Sequence, residues 1–441
     1  MKEIATKIFH ETLASLDVRA ALGRHLVRTG SLVHAGGNAF NLREYREIVA
    51  IVYGKGSVAM AEAFSDILSP DFAFDGILVG PNQSKRNLTD WRTFIGGHPV
   101  PNEGSFTAGK AILDRLHACD ERSLIFFLLS GGGSSIIESP LPMVSSVSIA
   151  ATLDDFRKFN AALTGCGAPI EEINIIRRHV SATKGGRLAA AARSSVKLSF
   201  GISDVPLGEE NSLGSGPTLP DGSTLADAKR VIRQYGLQEK LPAKIRDAFI
   251  QGTLPETLKE GDPAFARAHF ALILSQHDLT HAAHRACESR GIQCVCDTQT
   301  DNWPLEKAAD HLLAMLAGQK LAYPGRRTAV VAGGEVTSPV IGNGTGGRNS
   351  AFVLTCVPKI ADRKITVLSA GTDGIDGNSL AAGAIADGSS LERAQTIGID
   401  PVDSARRSDA FHFFEHLGDA IMTGPTGINV RDLRLLIADP D

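Results

Sequence analysis

The sequence has little of what marks several large classes of protein. Aromatic residues make up 6% of the 441 residues, with two tryptophans, which gives little material for stacking nucleic-acid bases. Lys and Arg number 45 against 49 Asp and Glu, a net charge of −4, so no overall field would hold a nucleic acid or an acidic membrane. We therefore expect neither as a partner, and we expect any anionic ligand to be held locally.

Targeting and disulfide signals are also missing. Lys2 and Glu3 stand where a secretory signal needs apolar residues, and no run approaches the roughly 18 apolar residues of a spanning helix. The six cysteines are scattered and form no CxxC pair. These observations predict a cytoplasmic protein with reduced thiols. They leave the oligomeric state open, a homodimer included.

What the sequence does contain is a repeated alternation of short apolar runs with turns and helix-like segments. At about 100 to 200 residues per domain, the length predicts two or three domains. Runs that are apolar on both faces are typical of a mostly parallel sheet covered by helices, the α/β class. The runs are residues 48–53, 76–80, 123–129, 198–202, 270–275, 328–332 and 365–369.

The alternation divides into two series. We assign residues 1–240 to a Rossmann-like domain with helices on both faces of its sheet, and residues 265–441 to a smaller C-terminal α/β domain. Residues 241–264 carry three prolines and two glycines between helical pieces, which favours a linker.

The strongest candidate for binding chemistry is the SGGGSS stretch at residues 130–135, which directly follows an apolar run. Glycines let the backbone approach a ligand, and a following helix directs free N–H groups at an anion. We therefore predict that Ser130, Gly131, Gly132, Gly133 and Ser134 bind a phosphate or a carboxylate. A tight turn that only reverses the chain is the alternative.

A second glycine-rich turn contains Lys55. Residues 54–59 (GKGSVA) follow a strand-like run and fit the G-x-G-x-x-A dinucleotide pattern, which keeps a nicotinamide-dependent reductase open. Against this, Asp75 precedes the next apolar run, whereas a ribose-binding carboxylate should stand at its end. An ammonium at a helix start opposes the helix dipole unless an anion binds there, so Lys55 favours an anion site over a solvated lysine. No Walker A motif is present.

A third flexible loop, residues 343–349 (NGTGGRN), ends in Arg348 and Asn349. A guanidinium can donate two parallel hydrogen bonds to a carboxylate or phosphate, so Arg348 is a candidate anion ligand. Acidic residues also follow apolar runs, as nucleotide-bound Mg²⁺ requires, although some of them only form turns. These acidic residues are Asp204, Glu335, Asp373, Asp376 and Asp387.

Two histidine patterns would suit a metal site. His412 and His416 belong to an H-x-x-E-H stretch, the pattern of some zinc peptidases, and His277, His281, His284 and Cys287 share a helical face. Histidines on a helix are more often part of a core and its rim, and we favour that interpretation. A metallopeptidase-like protein stays open as an alternative.

Taken together, the motifs resemble those of the class II glycerate kinases, or glycerate 2-kinases, which join a large N-terminal kinase domain to a C-terminal MOFRL domain. They run in family order across nearly the whole chain. The matching stretches are GKGSVAM (54–60), GGHPVPNEGS (96–105), LLSGGGSS (128–135), EINIIRRHVSATKGGRLA (172–189), SDVPLGEENSLGSGPTLPDGST (203–224), GGEVTSPVIGNGTGGRN (333–349), SAGTDGIDGNSLAAGAIAD (369–387) and TGPTGINVRDL (423–433).

The resemblance implies that ATP phosphorylates D-glycerate at the 2-hydroxyl with Mg²⁺, in a cleft between the domains. It implies that Lys55 and Arg348 are essential. We assign catalysis to these two residues and to Asp204, and Mg²⁺ to Asp204, Glu335 and Asp373. Lys184, Gly346, Gly347 and Asn349 join the 130–134 loop as nucleotide or substrate ligands. Some relatives are called hydroxypyruvate reductase, so that alternative also has a place in the family.

The chain departs from the family pattern at several positions. Thr345 replaces a common lysine, Leu380 replaces an aspartate, and Asn349-Ser350-Ala351 replaces Asn-Gln-Glu. These changes lie in motifs that are expected to handle metal or substrate. The sequence therefore leaves the exact hydroxy acid open, as well as which loop holds ATP and which residue is the general base.

Overall fold

The computed structural model describes residues 1–68, 71–141 and 151–440. The chain forms two compact units. Val18–Ile273 form the first, called here the parallel-sheet unit. Met1–Asp17 and Leu274–Asp441 together form the second, the mixed-sheet unit.

Helices and strands alternate along much of both units. The helices are α1 (Lys2–Ser15), α2 (Val18–His25), α3 (Ser57–Leu68), α4 (Glu103–His117), α5 (Gly133–Ile136), α6 (Leu153–Thr164), α7 (Ile170–Val180), α8 (Arg187–Ala191), α9 (Leu225–Gln234), α10 (Ala243–Gln251), α11 (Gln276–Glu288), α12 (Leu305–Ala322), α13 (Arg348–Cys356), α14 (Ser390–Thr396), α15 (Pro401–Arg406) and α16 (Ala410–Leu417). The strands are β1 (Leu26–Thr29), β2 (Leu32–Ala35), β3 (Asn38–Asn41), β4 (Glu47–Tyr53), β5 (Asp75–Gly80), β6 (Trp91–Ile95), β7 (Ser123–Ser130), β8 (Val196–Ile202), β9 (Ala268–Leu274), β10 (Gln293–Asp297), β11 (Thr328–Gly333), β12 (Ile365–Gly371), β13 (Gly383–Asp387), β14 (Ala420–Ile421) and β15 (Asp432–Ala438).

The parallel-sheet unit is built on a six-stranded sheet in the order β6-β5-β4-β7-β8-β9. The pairs from β6 to β8 are parallel, with Tyr53 opposite both Val79 and Leu129. All eight residues of β7 are buried, as expected for a strand covered on both faces. The predicted Rossmann-like, mostly parallel α/β sheet is confirmed.

The order of the strands fixes where a ligand can bind. From β4 the chain builds outward to β5 and β6, and it then returns to the other side of β4 for β7 and β8. In such sheets the loops after the two central strands diverge and leave a crevice at the carboxyl ends of those strands. Here the two loops are the predicted ones, after Tyr53 and after Leu129.

The mixed-sheet unit contains a second six-stranded sheet, in the order β10-β11-β15-β12-β13-β14. Strand β15 lies between β11 and β12 and is antiparallel to both. Helices α12, α13 and α16 contribute buried residues to the core of this unit, among them Leu312, Phe352 and Phe414. The smaller C-terminal α/β domain expected from the sequence is thus a mixed sheet.

The division of the chain differs from the predicted boundaries. Residues 241–264 contain α10, and Leu241, Ile245 and Phe249 are buried in the core that α7 and α9 also form. Prolines and glycines therefore mark turns within a packed segment here. Helix α1 packs against α11, which places the first 17 residues with the mixed-sheet unit. In the part of the chain that the structure describes, no helix is long and apolar enough to cross a membrane.

Candidate active site

Two loops lie side by side at the carboxyl ends of β4 and β7. The backbone N–H of Lys55 donates to the carbonyl of Gly131 at 2.8 Å. The N–H of Gly56 donates to Ser130 Oγ at 2.9 Å. The sequence predicted each loop separately, and the sheet order brings them together into one surface.

Glycine is required where these loops touch. A Cβ on Gly54, whose φ is +119°, would lie 2.2 Å from Ser130 Oγ and 2.4 Å from the Ser130 carbonyl oxygen. Gly132 has a φ of +80°, and a Cβ there would lie 2.8 Å from His98 Cδ2 and 3.3 Å from Lys55 Cγ. The glycines thus let the backbone, an imidazole and a lysine stem approach one another.

Asp204 reaches the same loop from the end of β8. A Cβ on Gly131 would lie only 2.0 Å from Asp204 Oδ2, so the carboxylate packs directly against the bare glycine backbone. Lys55, His98 and Asp204 therefore all pack against two consecutive residues of one loop, Gly131 and Gly132. This is a group of an ammonium, an imidazole and a carboxylate at the switch point of the sheet.

His98 is a member of this group that sequence reasoning missed. It is exposed and lies in the loop between β6 and α4. The stretch GGHPVPNEGS matched the family, but the 34 residues that separate His98 from Gly132 hide the contact. Only the pairing of β5 with β6 and with β4 brings the two segments together.

The hydroxyls of the SGGGSS loop are engaged in hydrogen bonds within the protein. Ser130 Oγ accepts from Gly56, Ser134 Oγ lies 2.8 Å from Ser215 Oγ, and Ser135 Oγ donates to the carbonyl of Gly132 at 3.3 Å. Helix α5 begins at Gly133, and the first N–H groups of a helix have no intrahelical acceptor. The groups this loop offers an anion are therefore its backbone amides.

Lys184 lies in a different environment from Lys55. Its side chain is buried, and Nζ donates to Glu138 Oε2 at 2.6 Å and to Ser181 Oγ at 3.2 Å. Burial lowers the pKa of Lys184, against the opposing effect of Glu138. Such a buried pair favours a supporting role, in which Lys184 fixes the turn that follows it.

In the mixed-sheet unit, Arg348 begins α13 and is held by two carboxylates. Nε and Nη2 donate to the two oxygens of Asp432 at 2.5 and 3.1 Å, and Nη2 lies 2.9 Å from Glu335 Oε1. Burial alone would lower the pKa of Arg348, but Asp432 and Glu335 outweigh it and raise the pKa above the usual value. The two-pronged face predicted for a ligand is thus used by Asp432, and Nη1 is the nitrogen that neither carboxylate engages.

Asp376 occupies the start of α13. Its carboxylate accepts from the backbone N–H groups of Gly347, Asn349 and Ser350 at 2.8 to 3.1 Å, and from Ser350 Oγ at 2.6 Å. Burial nevertheless leaves the pKa of Asp376 raised. An anion from solution would have to compete with this buried carboxylate for the same amides.

The other predicted ligands in this loop are also engaged within the protein. The N–H of Gly346 donates to Asn378 Oδ1 at 2.8 Å, and Asn349 Oδ1 accepts from Ser369 Oγ at 2.6 Å. Most backbone N–H groups of the 343–349 loop therefore already donate hydrogen bonds within the protein.

Carboxylates that could hold Mg²⁺ occur in each unit. A Cβ on Gly371 would lie 3.3 Å from both Asp373 Oδ1 and Asp432 Oδ1, so these two carboxylates converge. Among the described residues, no group of three or more His, Cys, Asp or Glu could hold a metal ion alone. Nucleotide-bound Mg²⁺ needs only one or two carboxylates with phosphate oxygens, and the partly exposed Asp204, Glu335 and Asp373 fit that requirement.

The histidine patterns have local partners. His412 Nδ1 lies 2.6 Å from Asp409 Oδ1, and His416 Nδ1 lies 2.6 Å from the carbonyl of His412. The rings of His277 and His281 stack with centroids 6.0 Å apart. These contacts explain the spacing of the histidines along their helices without a ligand.

Comparison with known proteins gives two family matches. Residues 4–250 match a domain of unknown function, DUF4147, and residues 328–432 match the MOFRL family.

Curated relatives cover nearly the whole chain. A glycerate 2-kinase of Pyrococcus horikoshii is 31% identical over 99% of this chain and 97% of its own length. A D-glycerate 2-kinase of Thermotoga maritima is 31% identical over 88% of this chain and 89% of its own. A protein of Agrobacterium vitis named putative hydroxypyruvate reductase is 33% identical over 99% and 94%.

Two solved structures share the fold. The crystal structure of a glycerate kinase from Thermotoga maritima has a TM-score of 0.82 at 28% identity and covers 99% of each chain. A Pyrococcus horikoshii protein has a TM-score of 0.79 at 30% identity and covers 100% of this chain and 98% of its own.

Proposed function

The chain belongs to the glycerate 2-kinase family, with a DUF4147 domain followed by a MOFRL domain, and from this premise we propose that it phosphorylates D-glycerate. The reaction transfers the γ-phosphoryl group of ATP to the 2-hydroxyl and gives 2-phosphoglycerate, with Mg²⁺. A related hydroxy acid is the nearest alternative substrate, because Thr345 and Leu380 depart from the family pattern.

The observation that carries this proposal is the meeting of Lys55, His98 and Asp204 on the glycine loop after β7. Phosphoryl transfer requires little covalent chemistry from the protein, because positioning and neutralisation of charge supply most of the catalysis. The stem of Lys55 packs against Gly132, which suits its ammonium to hold a transferring phosphoryl group at this loop. The carboxylate of Asp204, which packs against Gly131, is suited to accept a proton or to hold a metal.

We assign roles to these residues accordingly. The amides of the loop bind phosphate or the carboxylate of the acid. Lys55 neutralises the transferring group, and Asp204 accepts the proton of the attacking hydroxyl or holds the metal. When bound, Mg²⁺ would neutralise the phosphate oxygens, and Asp204, Glu335 and Asp373 are the residues proposed to hold it.

Arg348 is proposed to contribute through Nη1. Asp432 fixes the plane of the guanidinium with two hydrogen bonds, so the free edge is oriented before a ligand arrives. Compared with a free arginine, this arrangement offers a ligand fewer donors but holds them in place. Asp432 is therefore a positioning residue for Arg348.

A nicotinamide-dependent hydroxypyruvate reductase is the second candidate. The names of two Agrobacterium vitis relatives and the strand-turn-helix arrangement of β4, Gly54–Gly56 and α3 favour it. Asp75 argues against it, because this residue begins β5, at the end of the strand remote from the glycine turns, and binds Arg115 at 2.5 Å. No carboxylate stands at Gly80, where β5 ends and where a ribose would require one.

One experiment separates the candidates. Three- and four-carbon hydroxy acids are incubated with MgATP and ADP formation is measured, while a parallel assay follows NAD(P)H oxidation with hydroxypyruvate. ADP formation that depends on a hydroxy acid supports the kinase. NAD(P)H oxidation without ADP formation would overturn it in favour of the reductase.

A further inference from the structure

The mixed-sheet unit contains a pocket of about 620 Å³ and, apart from Arg348, the roles assigned above involve none of its lining residues. Ligand pockets typically measure about 300 to 1,000 Å³, so it can take a group of nucleoside size. It is lined by the first two turns of α13, the loop before this helix, and residues from the ends of α15 and α16. The lining includes Leu305, Val336, Val340, Ile341, Ala351 and Leu354.

The lining is mainly aliphatic, with a few polar groups. Arg348 is the one lysine or arginine among the lining residues, and two carboxylates already neutralise it. A three-carbon hydroxy acid is small, charged and almost without apolar surface, so this pocket offers it little. A nucleobase is flat and only weakly polar, and it is attached through ribose to charged phosphates. Such a ligand suits the aliphatic pocket better than a small charged acid.

The rim of the pocket is unusually apolar for a surface. Val340 is 85% exposed and Ile341 is 74% exposed, on the segment between β11 and α13. Both side chains line the pocket, so a ligand seated in it would cover them. Burial of such surface is favourable and needs no change of backbone.

The wall that carries these side chains is fixed in advance. Ser408 Oγ accepts from the N–H groups of Ile341 and Gly342 at 3.0 and 3.1 Å, and the N–H of Gly344 donates to the carbonyl of Arg407 at 2.9 Å. A Cβ on Gly342 or Gly344 would come within 2.6 Å of that same carbonyl oxygen. The pocket is therefore formed before a ligand binds.

We propose that this pocket binds the base and ribose of the nucleotide, an inference that rests on the proposed use of ATP. Arg348 lines the pocket, whereas Glu335 and Asp432, which bind its guanidinium, are not among the lining residues. Because these carboxylates outnumber the guanidinium, phosphates that leave the pocket beside Arg348 would do so as their Mg²⁺ complex. The aliphatic part of the pocket is left to the base.

The test is a single substitution that fills the pocket. Ala351→Leu adds three carbons from α13 and keeps a residue with high helix propensity. We expect the dissociation constant for MgADP, measured by isothermal titration calorimetry, to rise at least about tenfold. Binding of magnesium tripolyphosphate, which has no nucleoside, should not change. Ala314→Leu, at an exposed position of α12, is the matched control and should bind both ligands like the unmodified protein.

A second variant guards against a folding defect. Ile341→Ser changes an exposed side chain, so it should leave the fold intact and weaken MgADP about threefold. Unchanged MgADP binding in both variants would overturn the proposal, as would equal weakening of MgADP and tripolyphosphate. A protein that binds no MgADP at all would overturn it as well.

The binding measurement separates this inference from the proposed function. If ADP formation depends on a hydroxy acid but Ala351→Leu leaves the affinity for MgADP unchanged, the pocket assignment is wrong and the proposed kinase activity is retained. If MgADP binding is lost in Ala351→Leu but no hydroxy acid supports ADP formation, the pocket stands and the proposed substrate is wrong.

Discussion

The substitution Gly131→Ala tests whether Asp204 and the glycine loop act together. Gly131 does not have a positive φ, so the backbone accepts alanine without strain. The added methyl group, however, would lie 2.0 Å from Oδ2, 2.6 Å from Cγ and 3.2 Å from Cβ of Asp204. The substitution therefore acts mainly on the carboxylate of another residue.

The size of the expected effect follows from these distances. Carbon and oxygen atoms that are not bonded rarely approach within about 3.0 Å, so the carboxylate must move by about 1 Å or more. Displacement of a catalytic group by 1 Å typically costs about 100-fold in rate. We expect kcat/KM for ADP formation dependent on the hydroxy acid to fall about 100-fold, with little change in melting temperature.

Two comparisons make this result specific. Gly222→Ala is the matched control, because Gly222 also lacks a positive φ and nothing lies within 4 Å of an added Cβ. If the methyl group acts through Asp204, Gly131→Ala combined with Asp204→Ala should be no worse than Asp204→Ala alone. Near-normal kcat/KM in Gly131→Ala, or losses that add in the double variant, would show that the methyl group does not act through Asp204.

Three further predictions concern lysines in different environments. Lys55→Ala should lower kcat/KM at least about 100-fold, because it removes a charge aimed at the transferring group. Lys55→Arg should retain only part of the activity, since a planar guanidinium does not replace a compact ammonium. Near-normal turnover of Lys55→Ala in the ADP assay would show that Lys55 is a solvated lysine without a role in catalysis. Lys184→Met should lower the free energy of unfolding by about 3 kcal/mol in urea titrations, because Glu138 stays buried without its partner. Adding Glu138→Gln should recover most of this loss. No recovery would contradict a stabilising ion pair between Lys184 and Glu138. Burial lowers the pKa of Lys197 to about 8, so the folded state binds fewer protons than the unfolded state between about pH 8 and 10.5. The melting temperature of the protein should therefore rise relative to that of Lys197→Met between pH 7 and pH 10. A constant difference in melting temperature would contradict the shifted pKa.

The sequence predicts the elements that depend on local pattern. The run at 123–129 becomes β7, Ser123–Ser130, and the run at 328–332 becomes β11, Thr328–Gly333. Each is a short, β-branched or aromatic stretch before a glycine turn, so the chain itself specifies strand and turn. The Rossmann-like class follows from the repetition of this unit.

Long-range pairing is what the sequence does not reveal. Strand β15 lies between β11 and β12, and Ala438 pairs with Thr328, 110 residues earlier. No local pattern indicates that a C-terminal apolar run enters the middle of a sheet. The same limit explains α10, whose buried Ile245 and Phe249 are visible only once α7 and α9 are in place.

The candidate site divides in the same way. Lys55 and the SGGGSS loop could be predicted from the sequence, because each belongs to a glycine-rich turn made of consecutive residues. The partners of Arg348 and the cap of α13 come from Asp432 and Asp376, which lie 84 and 27 residues from the groups they bind. Free amides and a free guanidinium were reasonable expectations for the 343–349 loop, and only the fold supplies the carboxylates that engage them.

The identity of the phosphorylated product tests most directly whether the protein phosphorylates D-glycerate at the 2-hydroxyl. D-glycerate is incubated with MgATP, and the product is examined by phosphorus NMR and in an assay coupled to enolase without a mutase. We expect ADP and 2-phosphoglycerate in equal amounts, with immediate activity in the enolase assay. A product that requires the mutase, or no phosphorylated product from any hydroxy acid of the panel, would contradict it.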